Sequence, residues 1–352
     1  MEPLNWLIFG AGAIGTYVGG CLGLLDLQMD THQRIVFIER PEVARQVRTQ
    51  GLRLCLDGRE WLIPSPNITA SLSEALDFGS YDVAVLALKS YDTQPFLASL
   101  GELANRLPPI LCLQNGVENE PTLEAVLGKG KVIPGTVTSA VSRRGAGNIL
   151  LERRRGLGVT AGHLLSERIV EGLSDAGLNA SLFERPLDMK WSKMLTNLLA
   201  NASSAILNLT PAQIFSDPRL YRLERQQLRE CLAVMRKLGI SVVDLPGTPV
   251  SLLAFAVRYL PAPLSRPLLQ RAVGKGRGRK MPSLHIDLHS GSGGSEVDYL
   301  NGAVVRFGEQ VGIATPVNRL LNETLLSLAR GETPPGTYTF QPEKLLERLS
   351  NG

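Results

Sequence analysis

The sequence of 352 residues predicts an α/β protein, in which a doubly wound parallel sheet comes first and an all-helical domain follows. Two observations predict this fold class. Short apolar runs alternate with helical stretches through the first half, which is typical of a parallel sheet covered by helices. Beyond Pro186 long helical patterns replace the strand-like runs. We therefore predict a first domain over residues 1–185 and a helical domain over residues 186–352.

The first strand, residues 4–9, runs directly into a glycine-rich turn and helix, and a second strand follows at residues 35–38. The turn has the GxGxxG spacing. Its first glycine permits the tight turn, the second lets backbone N–H groups approach a pyrophosphate, and the third lets the helix pack on the strand. The helix N-terminus then favours the bound anion. The sequence therefore predicts a Rossmann-type domain that binds NAD(P) through Gly10, Ala11, Gly12, Ala13, Ile14 and Gly15.

The remaining elements are predicted in order along the chain. Further strands are expected at residues 83–88, 110–113, 131–134, 156–160 and 180–183. Long helices are expected at residues 188–207, 219–238, 296–311 and 316–329. Lys89 and Asn115 each follow an apolar strand. Because open α/β sheets bind ligands at the carboxyl ends of their strands, both residues are candidate ligand contacts.

A polar stripe runs along one face of the first helix predicted in the second domain. Lys193, Asn197 and Asn201 are spaced i, i+4 and i+8 among apolar residues. At this spacing side chains share one helix face, with a drift of about 40° per step. Asparagine is a mediocre helix former, so two on an apolar helix call for a reason. We interpret the stripe as a proton donor with two amides that bind a polar substrate; the alternative is a solvated helix face.

Composition narrows the function classes. Apolar residues make up 44% and charged residues 20%, as in ordinary globular proteins. The net charge of +4 suits anionic small molecules but falls short of the basic face expected of a nucleic-acid binder. The four cysteines form no CxxC pair, which favours buried thiols in a reducing cytoplasm. The sequence leaves a monomer and a homodimer open.

No membrane association is expected. The most apolar later stretch, residues 250–269, contains two arginines and three prolines, which argue against a membrane span. No signal peptide is expected either, because the glycine fingerprint already begins at Gly10. We therefore expect a cytoplasmic protein whose partner is a small molecule.

Taken together, the motifs resemble the ketopantoate reductase family over nearly the whole chain. In order after the glycine fingerprint, the resembling motifs are Arg40, Lys89, Gln114-Asn115-Gly116, Gly135-Thr136, Trp191-x-Lys193-x3-Asn197-x3-Asn201 and the run from Ser295-Glu296 to Asn301-Gly302. The most specific are the Lys-x3-Asn-x3-Asn and Glu-Val-Asp-Tyr-Leu-Asn-Gly patterns. The resemblance implies NADPH-dependent reduction of 2-dehydropantoate (ketopantoate) to pantoate, as in pantothenate biosynthesis.

The resemblance also implies a role for each matching residue. Lys193 would be the general acid that protonates the 2-oxo oxygen as hydride arrives at C2, and Glu296 would orient the substrate or the nicotinamide ribose. An ammonium beside a developing alkoxide stabilises its charge and supplies the proton. Asn115 would contact cofactor and substrate. Lys89 and Ala140 would contact the dinucleotide, and Asn197, Asn201 and Ser283 would bind the substrate's hydroxyl and carboxylate.

Several of these residues have structural alternatives. Asn115 precedes Gly116, and Asn-Gly is a favoured turn dipeptide. Lys89 would otherwise be a surface charge. Glu296 would otherwise stabilise a helix dipole, and Ser283 would otherwise cap the following helix.

A metal site is not predicted. His285 and His289 have a spacing that zinc ligands use. No further histidine or cysteine lies near them in sequence, and the resembled family uses no metal.

The cofactor depends on two neighbouring residues after the second strand. Arg40 would pair with a 2′-phosphate and so indicates NADP, as in the resembled family. Glu39 stands where we expect a small or apolar residue. A carboxylate there would bind a ribose 2′-OH and favour NAD, unless it points away. We predict NADP and keep NAD as the alternative.

Other departures leave the exact oxo acid open. The connection at residues 25–34 is long, and residues 240–282 include additional sequence. A reductase for another 2-oxo or 3-oxo acid and a non-catalytic dinucleotide sensor are therefore alternatives. Two glycine-rich segments, residues 274–280 and 290–295, resemble solvated loops. We expect residues 291–294 to act as a hinge when the cleft between the domains closes.

Overall fold

The computed structural model describes residues 3–277, 281–289 and 294–350. The chain divides into two units. Unit 1 comprises residues 1–114, 118–190 and 245–248, and unit 2 comprises residues 115–117, 191–244 and 249–352. The main division therefore falls between Lys190 and Trp191, whereas the sequence placed it at residue 185.

Unit 1 contains all the strands of the described residues. They are β1 Trp6–Phe9, β2 Ile35–Ile38, β3 Leu52–Leu56, β4 Arg59–Ile63, β5 Asn67–Thr69, β6 Val83–Leu86, β7 Ile110–Cys112, β8 Val132–Val137, β9 Ala140–Gly145, β10 Asn148–Arg153, β11 Leu157–Thr160 and β12 Ala180–Phe183. The main sheet has eight strands in the order β12-β11-β8-β7-β6-β1-β2-β5. The order changes direction at β1, which lies between β6 and β2, and ligands bind at such a switch point in open α/β sheets.

The predicted parallel sheet is correct for its central strands. Strands β5, β2, β1, β6, β7 and β8 all run parallel. At the other edge β11 runs antiparallel to β8, and β12 runs parallel to β11. The predicted doubly wound sheet is present, and its parallel arrangement ends before these two strands, because alternation of strands and helices does not fix the direction of an edge strand.

A second sheet, with the order β4-β3-β10-β9, was not predicted. Strands β3 and β4 form an antiparallel hairpin through Asp57 and Gly58, which both have positive φ. Asp-Gly is a strong hairpin signal, so the hairpin of β3 and β4 could have been predicted from the sequence. The pairing of β10 with β3 joins segments far apart in the chain, and no local pattern specifies it.

The helices that accompany the strands are α1 Ala13–Met29, α2 Pro41–Gln50, α3 Leu72–Asp77, α4 Thr93–Leu100, α5 Asn119–Leu127, α6 Ser166–Asp175 and the first residues of α7 Pro186–Leu198. Short 3₁₀ turns lie at Ser90–Asp92 and Gly101–Arg106. The core of unit 1 is apolar and includes the fully buried side chains of Trp6, Tyr17, Phe37 and Leu54. Burial of these side chains against the sheet stabilises the strand ends that carry the glycine turn.

Unit 2 is helical, as predicted. After the rest of α7 come α8 Ala202–Leu207, α9 Pro211–Ser216, α10 Pro218–Lys237, α11 Val250–Tyr259, α12 Ala262–Arg277, α13 Ser283–His289, α14 Ala303–Gln310, α15 Pro316–Ala329 and α16 Pro342–Ser350. A π-helical turn, Asp298–Gly302, precedes α14. In α10 the Asp217 side chain accepts a hydrogen bond from the Arg219 N–H and Pro218 occupies the first turn, which are strong start signals. Among the described residues, no helix has the length and apolar character of a membrane span.

The helix predicted over residues 188–207 is interrupted. Helix α7 ends at Leu198, Ala200 has a φ of +49°, and α8 begins at Ala202. Asn201 therefore lies outside the helix that carries Lys193 and Asn197, and the prediction of one continuous three-residue stripe is wrong for Asn201.

A buried carboxylate on α10 stabilises this interruption. Glu224 is fully buried and accepts hydrogen bonds from the Ala200 N–H at 2.7 Å and the Ser203 hydroxyl at 2.5 Å. An acceptor for N–H groups that a helix end exposes stabilises the break. Sequence spacing gives no signal for it, because Glu224 comes from another helix.

The predicted hinge at residues 291–294 lies outside the described residues except for Gly294. In the glycine-rich segment at residues 274–280, the predicted loop is wrong for residues 274–277, which belong to α12, and residues 278–280 lie outside the described residues.

Candidate functional site

The glycine turn, residues 10–15, joins β1 to α1 in unit 1. Gly10 has a φ of +97°, a conformation that L side chains rarely adopt. A Cβ on Gly15 would lie 1.7 Å from the carbonyl oxygen of Gly10, so only glycine allows α1 to start this close to the turn. Apart from its own chain neighbours, a Cβ on Gly12 would meet no atom of the described residues within 4 Å. The space over Gly12 is therefore open, and no side chain caps α1. This cradle fits the pyrophosphate of a dinucleotide.

Glu39 and Arg40, the Glu39–Arg40 corner, follow β2 beside the glycine turn. The Gly10 N–H donates to the Ile38 carbonyl at 3.0 Å, which connects the turn to the end of β2. The Ala11 N–H donates to Glu39 Oε2 at 2.8 Å, and the Arg40 N–H donates to Glu39 Oε1 at 2.9 Å. The Glu39 carboxylate therefore points toward the glycine turn.

The other predicted dinucleotide contacts also lie in unit 1. Lys89 follows β6, the neighbour of β1, and its carbonyl accepts a hydrogen bond from Gln114 Nε2 at 3.0 Å. Ala140 begins β9. The Tyr17 hydroxyl of α1 donates to Ser139 Oγ at 3.4 Å, so the start of β9 lies against α1. Lys89 thus lies where the sequence predicts, after a strand next to the switch point.

A buried lysine, Lys190, was missed by the sequence analysis. Its side chain is only 4% exposed, and Nζ donates to the Gln114 carbonyl at 2.7 Å and to the Gly135 carbonyl at 3.3 Å. Nζ also lies 2.6 Å from Glu120 Oε1. The ion pair with Glu120 holds Lys190 Nζ in place, and the hydrogen bond from Nζ to the Gln114 carbonyl fixes the backbone directly before Asn115. The apolar residues on either side of Lys190 in the sequence were the available signal that its side chain is buried. A buried lysine is in turn almost always paired, because an unpaired lysine is rarely buried.

In unit 2, three predicted site residues form an amide–carboxylate cluster: Asn115, Asn197 and Glu296. Asn197 Nδ2 donates to Asn115 Oδ1 at 3.0 Å, and Asn115 Nδ2 donates to Glu296 Oε2 at 3.5 Å. Glu296 is only 2% exposed. Lys193 precedes Asn197 by four residues on α7, so both side chains lie on the same helix face. Asn115 is therefore more than a residue of an Asn-Gly turn, since its side chain contacts both Asn197 and Glu296.

Asn201 and Ser283 form a second pair in unit 2. Asn201 Nδ2 donates to Ser283 Oγ at 3.4 Å, and Asn201 Oδ1 accepts from the Leu284 N–H at 3.1 Å. Asn201 is therefore buried against the first turn of α13 and satisfies one of its free N–H groups. The structure brings these two predicted substrate residues together, and it also gives Asn201 a structural task.

The asparagine of the Glu-Val-Asp-Tyr-Leu-Asn-Gly pattern serves the fold. Asn301 is fully buried, and its Nδ2 donates to Gln227 Oε1 at 3.1 Å and to Asn318 Oδ1 at 3.0 Å. Gln227 Nε2 in turn donates to Glu224 Oε2 at 2.6 Å. The motif that contributes Glu296 is thus connected, through buried polar groups, to the carboxylate at the break before Asn201.

We expect Glu224→Ala to lower the free energy of unfolding by about 3–5 kcal/mol, because the Ala200 N–H, the Ser203 hydroxyl and the Gln227 amide would lose a buried acceptor. Glu224→Gln, which keeps the shape and one acceptor oxygen, should lose less. Denaturant unfolding of both variants measures the difference. Equal stability of the alanine variant and the parent would exclude this role for Glu224.

The two histidines of α13 stack on each other, with ring centroids 4.0 Å apart. His285 Nε2 lies 2.8 Å from Asn208 Oδ1, within hydrogen-bond distance. Burial, followed by the nearby His289, lowers the pKa of His285 to about 4, so the ring is neutral near pH 7. Within residues 3–277, 281–289 and 294–350, no three His, Cys, Asp or Glu side chains form a group that could hold a metal ion.

Two family models match the chain. The model described as ketopantoate reductase PanE/ApbA matches residues 6–162, and its C-terminal counterpart matches residues 187–329. The 2-dehydropantoate 2-reductase of Archaeoglobus fulgidus is 26% identical to the chain over 329 residues, which are 92% of this chain and 96% of that protein. The enzyme of the same name from Halobacterium salinarum is 26% identical and covers 92% and 98%.

Solved structures show the same fold. A PanE/ApbA family ketopantoate reductase from Ralstonia eutropha JMP134 superposes with a TM-score of 0.76 at 26% identity, covering 93% of this chain and 98% of that one. A ternary complex of D-mandelate dehydrogenase with NADH and anilino(oxo)acetate has a TM-score of 0.74 at 21% identity, with coverage of 92% and 98%. At this identity the likeness to the second protein concerns the fold alone.

Proposed function

Because the chain belongs to the ketopantoate reductase family, and so is an oxidoreductase, we propose that it reduces 2-dehydropantoate to pantoate. The observation that carries the proposal is the amide–carboxylate cluster beside Lys193 on α7. The amide N–H groups of such a cluster can donate hydrogen bonds to the carbonyl and carboxylate of a small 2-oxo acid. Its amide oxygens and its carboxylate can accept a hydrogen bond from the hydroxyl. The curated relatives of this name support the choice of substrate.

Lys193 is proposed as the proton donor. A bound reduced nicotinamide would supply the hydride that C2 of the substrate accepts. As negative charge develops on the 2-oxo oxygen, the Lys193 ammonium stabilises it and then donates a proton to form the hydroxyl. Lys193 recovers its proton from solvent. The product is a 2-hydroxy acid.

Glu296 and the two asparagines are proposed to position the substrate. Asn115 is held between Asn197 and Glu296, so its amide orientation is set by neighbours on both sides. Preorganised polar groups of this kind favour the transition state, because they need not reorient as charge develops. Asn201 and Ser283, which bind one another, are the proposed contacts for the substrate's hydroxyl or carboxylate end.

Two cofactors are candidates. Arg40 supports NADPH, as predicted from the sequence, and Arg40→Ala should then weaken NADPH binding while NADH binding barely changes. Glu39 supports NADH, because a carboxylate at the end of β2 suits a ribose 2′-OH. Glu39 is 13% exposed and held by two backbone N–H groups, whereas the Arg40 side chain is 76% exposed. This contrast favours Glu39 as the residue that determines the choice.

The proposed function is tested by dinucleotide oxidation with a panel of oxo acids, followed by absorbance. The panel contains ketopantoate, other branched 2-oxo acids, the 2-oxo acid that corresponds to mandelate, and 3-oxo acids, each with NADPH and NADH. We expect the highest kcat/KM for ketopantoate. A higher value for another acid would assign the other substrate. Dinucleotide binding without turnover of any acid would contradict catalysis and favour a dinucleotide sensor.

A further inference from the structure

From the Glu39–Arg40 corner we infer that this chain prefers NADH over NADPH, and that Glu39 is the residue that imposes the preference. The inference rests on the proposed function, because both require a nicotinamide dinucleotide at the glycine turn. It departs from the NADP predicted from Arg40.

The position of Glu39 is set by the sheet. Strand β2 pairs in parallel with β1, and Phe9 lies opposite Ile38 in the register. Glu39 is the next residue after β2, and Gly10 is the next after β1. The Glu39 N–H donates to the Thr69 carbonyl at 3.0 Å, so the backbone continues along the edge of β5. Its side chain is thereby placed beside the glycine turn.

The orientation of the carboxylate is set by two hydrogen bonds, one on each oxygen. Oε2 accepts from the Ala11 N–H of the glycine turn at 2.8 Å, and Oε1 accepts from the Arg40 N–H at 2.9 Å. Hydrogen bonds from backbone N–H groups to a carboxylate are charge-assisted, so these two bonds hold its orientation more strongly than neutral ones would. A fixed negative charge therefore lies at the corner where β2 meets the pyrophosphate cradle.

Arg40 does not cancel this charge at close range. Its Nε lies 3.6 Å from Glu39 Oε1, beyond a hydrogen bond, and its side chain is 76% exposed. An exposed ion pair of this length contributes little and is screened by salt. The Arg40 guanidinium is thus a solvated group, partly engaged by Glu39.

The chemistry of the two dinucleotides differs at one position of the adenosine ribose. A 2′-hydroxyl donates a hydrogen bond to a carboxylate, which is the recognition that an acidic residue after the second strand provides. A 2′-phosphate carries negative charge and offers only acceptors to the carboxylate at pH 7. The Glu39 carboxylate is only 13% exposed and fixed in place, so its repulsion of a phosphate at about 4 Å is screened less than an ion pair with an exposed side chain, and it corresponds to on the order of 10-fold or more in affinity.

The test measures dissociation constants of NADH and NADPH for the full chain without any oxo acid, by calorimetric titration. We expect NADH to bind at least about tenfold more tightly. Adenosine 5′-monophosphate and adenosine 2′,5′-bisphosphate, which isolate this corner, should show the same order. Tighter binding of NADPH, or binding of neither dinucleotide, would overturn the inference.

Glu39→Gln removes the charge and keeps an acceptor for the Ala11 N–H. We expect it to shift the affinity ratio toward NADPH by about tenfold or more, because the repulsion is lost. Glu42→Gln is the matched control, since Glu42 lies on the exposed first turn of α2 and its carboxylate lies 3.9 Å from Arg45. Its affinity ratio should equal that of the parent. If the Glu39→Gln variant unfolds at the parent's temperature and its ratio of NADH and NADPH affinities is unchanged, the role of Glu39 is refuted.

These outcomes separate the inference from the proposed function. NADH preference without turnover of any 2-oxo acid would leave the inference standing and remove the reductase activity. Efficient ketopantoate reduction with NADPH preferred would support the reductase activity and refute the preference for NADH.

Discussion

Replacement of Lys193 with alanine is expected to lower kcat by ~10²–10⁴-fold, the usual contribution of a positioned general acid. The variant loses both the proton and the charge that would stabilise the developing alkoxide, so kcat should fall more than the affinity for the oxo acid. Dinucleotide affinity should remain near the parental value, because Lys193 is not among the proposed dinucleotide contacts. Steady-state kinetics and calorimetric titration measure the two quantities.

The chain offers a matched control in Lys190, three residues earlier on α7. Lys190 is buried in an ion pair with Glu120, so Lys190→Met should lower stability by about 3–5 kcal/mol through the uncompensated carboxylate. Lys193→Met should lower stability less than Lys190→Met, because Lys193 is half-buried whereas Lys190 is buried, and it should lower kcat as the alanine variant does. Near-parental turnover in both Lys193 variants would remove Lys193 from the mechanism.

Two glycine substitutions in the glycine turn are expected to act in opposite ways. In Gly12→Ala the methyl group meets no atom within 4 Å from the described part of the chain beyond its own neighbours, so stability should be maintained. The same methyl group would occupy the space through which the pyrophosphate approaches, and dinucleotide affinity should fall by on the order of 100-fold. In Gly15→Ala the added Cβ would lie 1.7 Å from the Gly10 carbonyl oxygen. We expect this variant to lose about 1–3 kcal/mol of stability or more, because backbone must move.

Thermal unfolding and dinucleotide titration of the two variants test this pair. Loss of affinity without loss of stability in Gly12→Ala would support the pyrophosphate cradle. Parental affinity in Gly12→Ala would contradict it, and parental stability in Gly15→Ala would contradict the close approach of α1 to the turn.

The features predicted correctly from the sequence are those that local chemistry specifies. The GxGxxG turn has this property, because the positive φ of Gly10 and the close approach of Gly15 to the Gly10 carbonyl are demands within the turn itself. The same holds for the helices of unit 2 that begin with a cap and a proline, such as α10 after Asp217. Lys193 and Asn197 were placed on one helix face because four residues make about one helical turn.

The features that sequence reasoning missed depend on contacts between distant segments. The break at Ala200 is stabilised by Glu224 of another helix, which moved Asn201 off the predicted stripe. Lys190 gains its role from carbonyls at Gln114 and Gly135. The direction of the Glu39 carboxylate depends on the Ala11 N–H. Spacing alone does not reveal such partners.

Hydride transfer to C2 of a 2-oxo acid, with Lys193 as the proton donor, is the reaction proposed for this chain. The most direct measurement uses a reduced dinucleotide deuterated at C4 of the nicotinamide, on each face in turn, with ketopantoate as substrate, and analyses the product by mass spectrometry and NMR. We expect pantoate with deuterium at C2 from one of the two labelled dinucleotides, formed by the parent at a rate that Lys193→Ala lowers by ~10²–10⁴-fold. Dinucleotide oxidation that yields pantoate without deuterium from either label, or no pantoate at all, would contradict it.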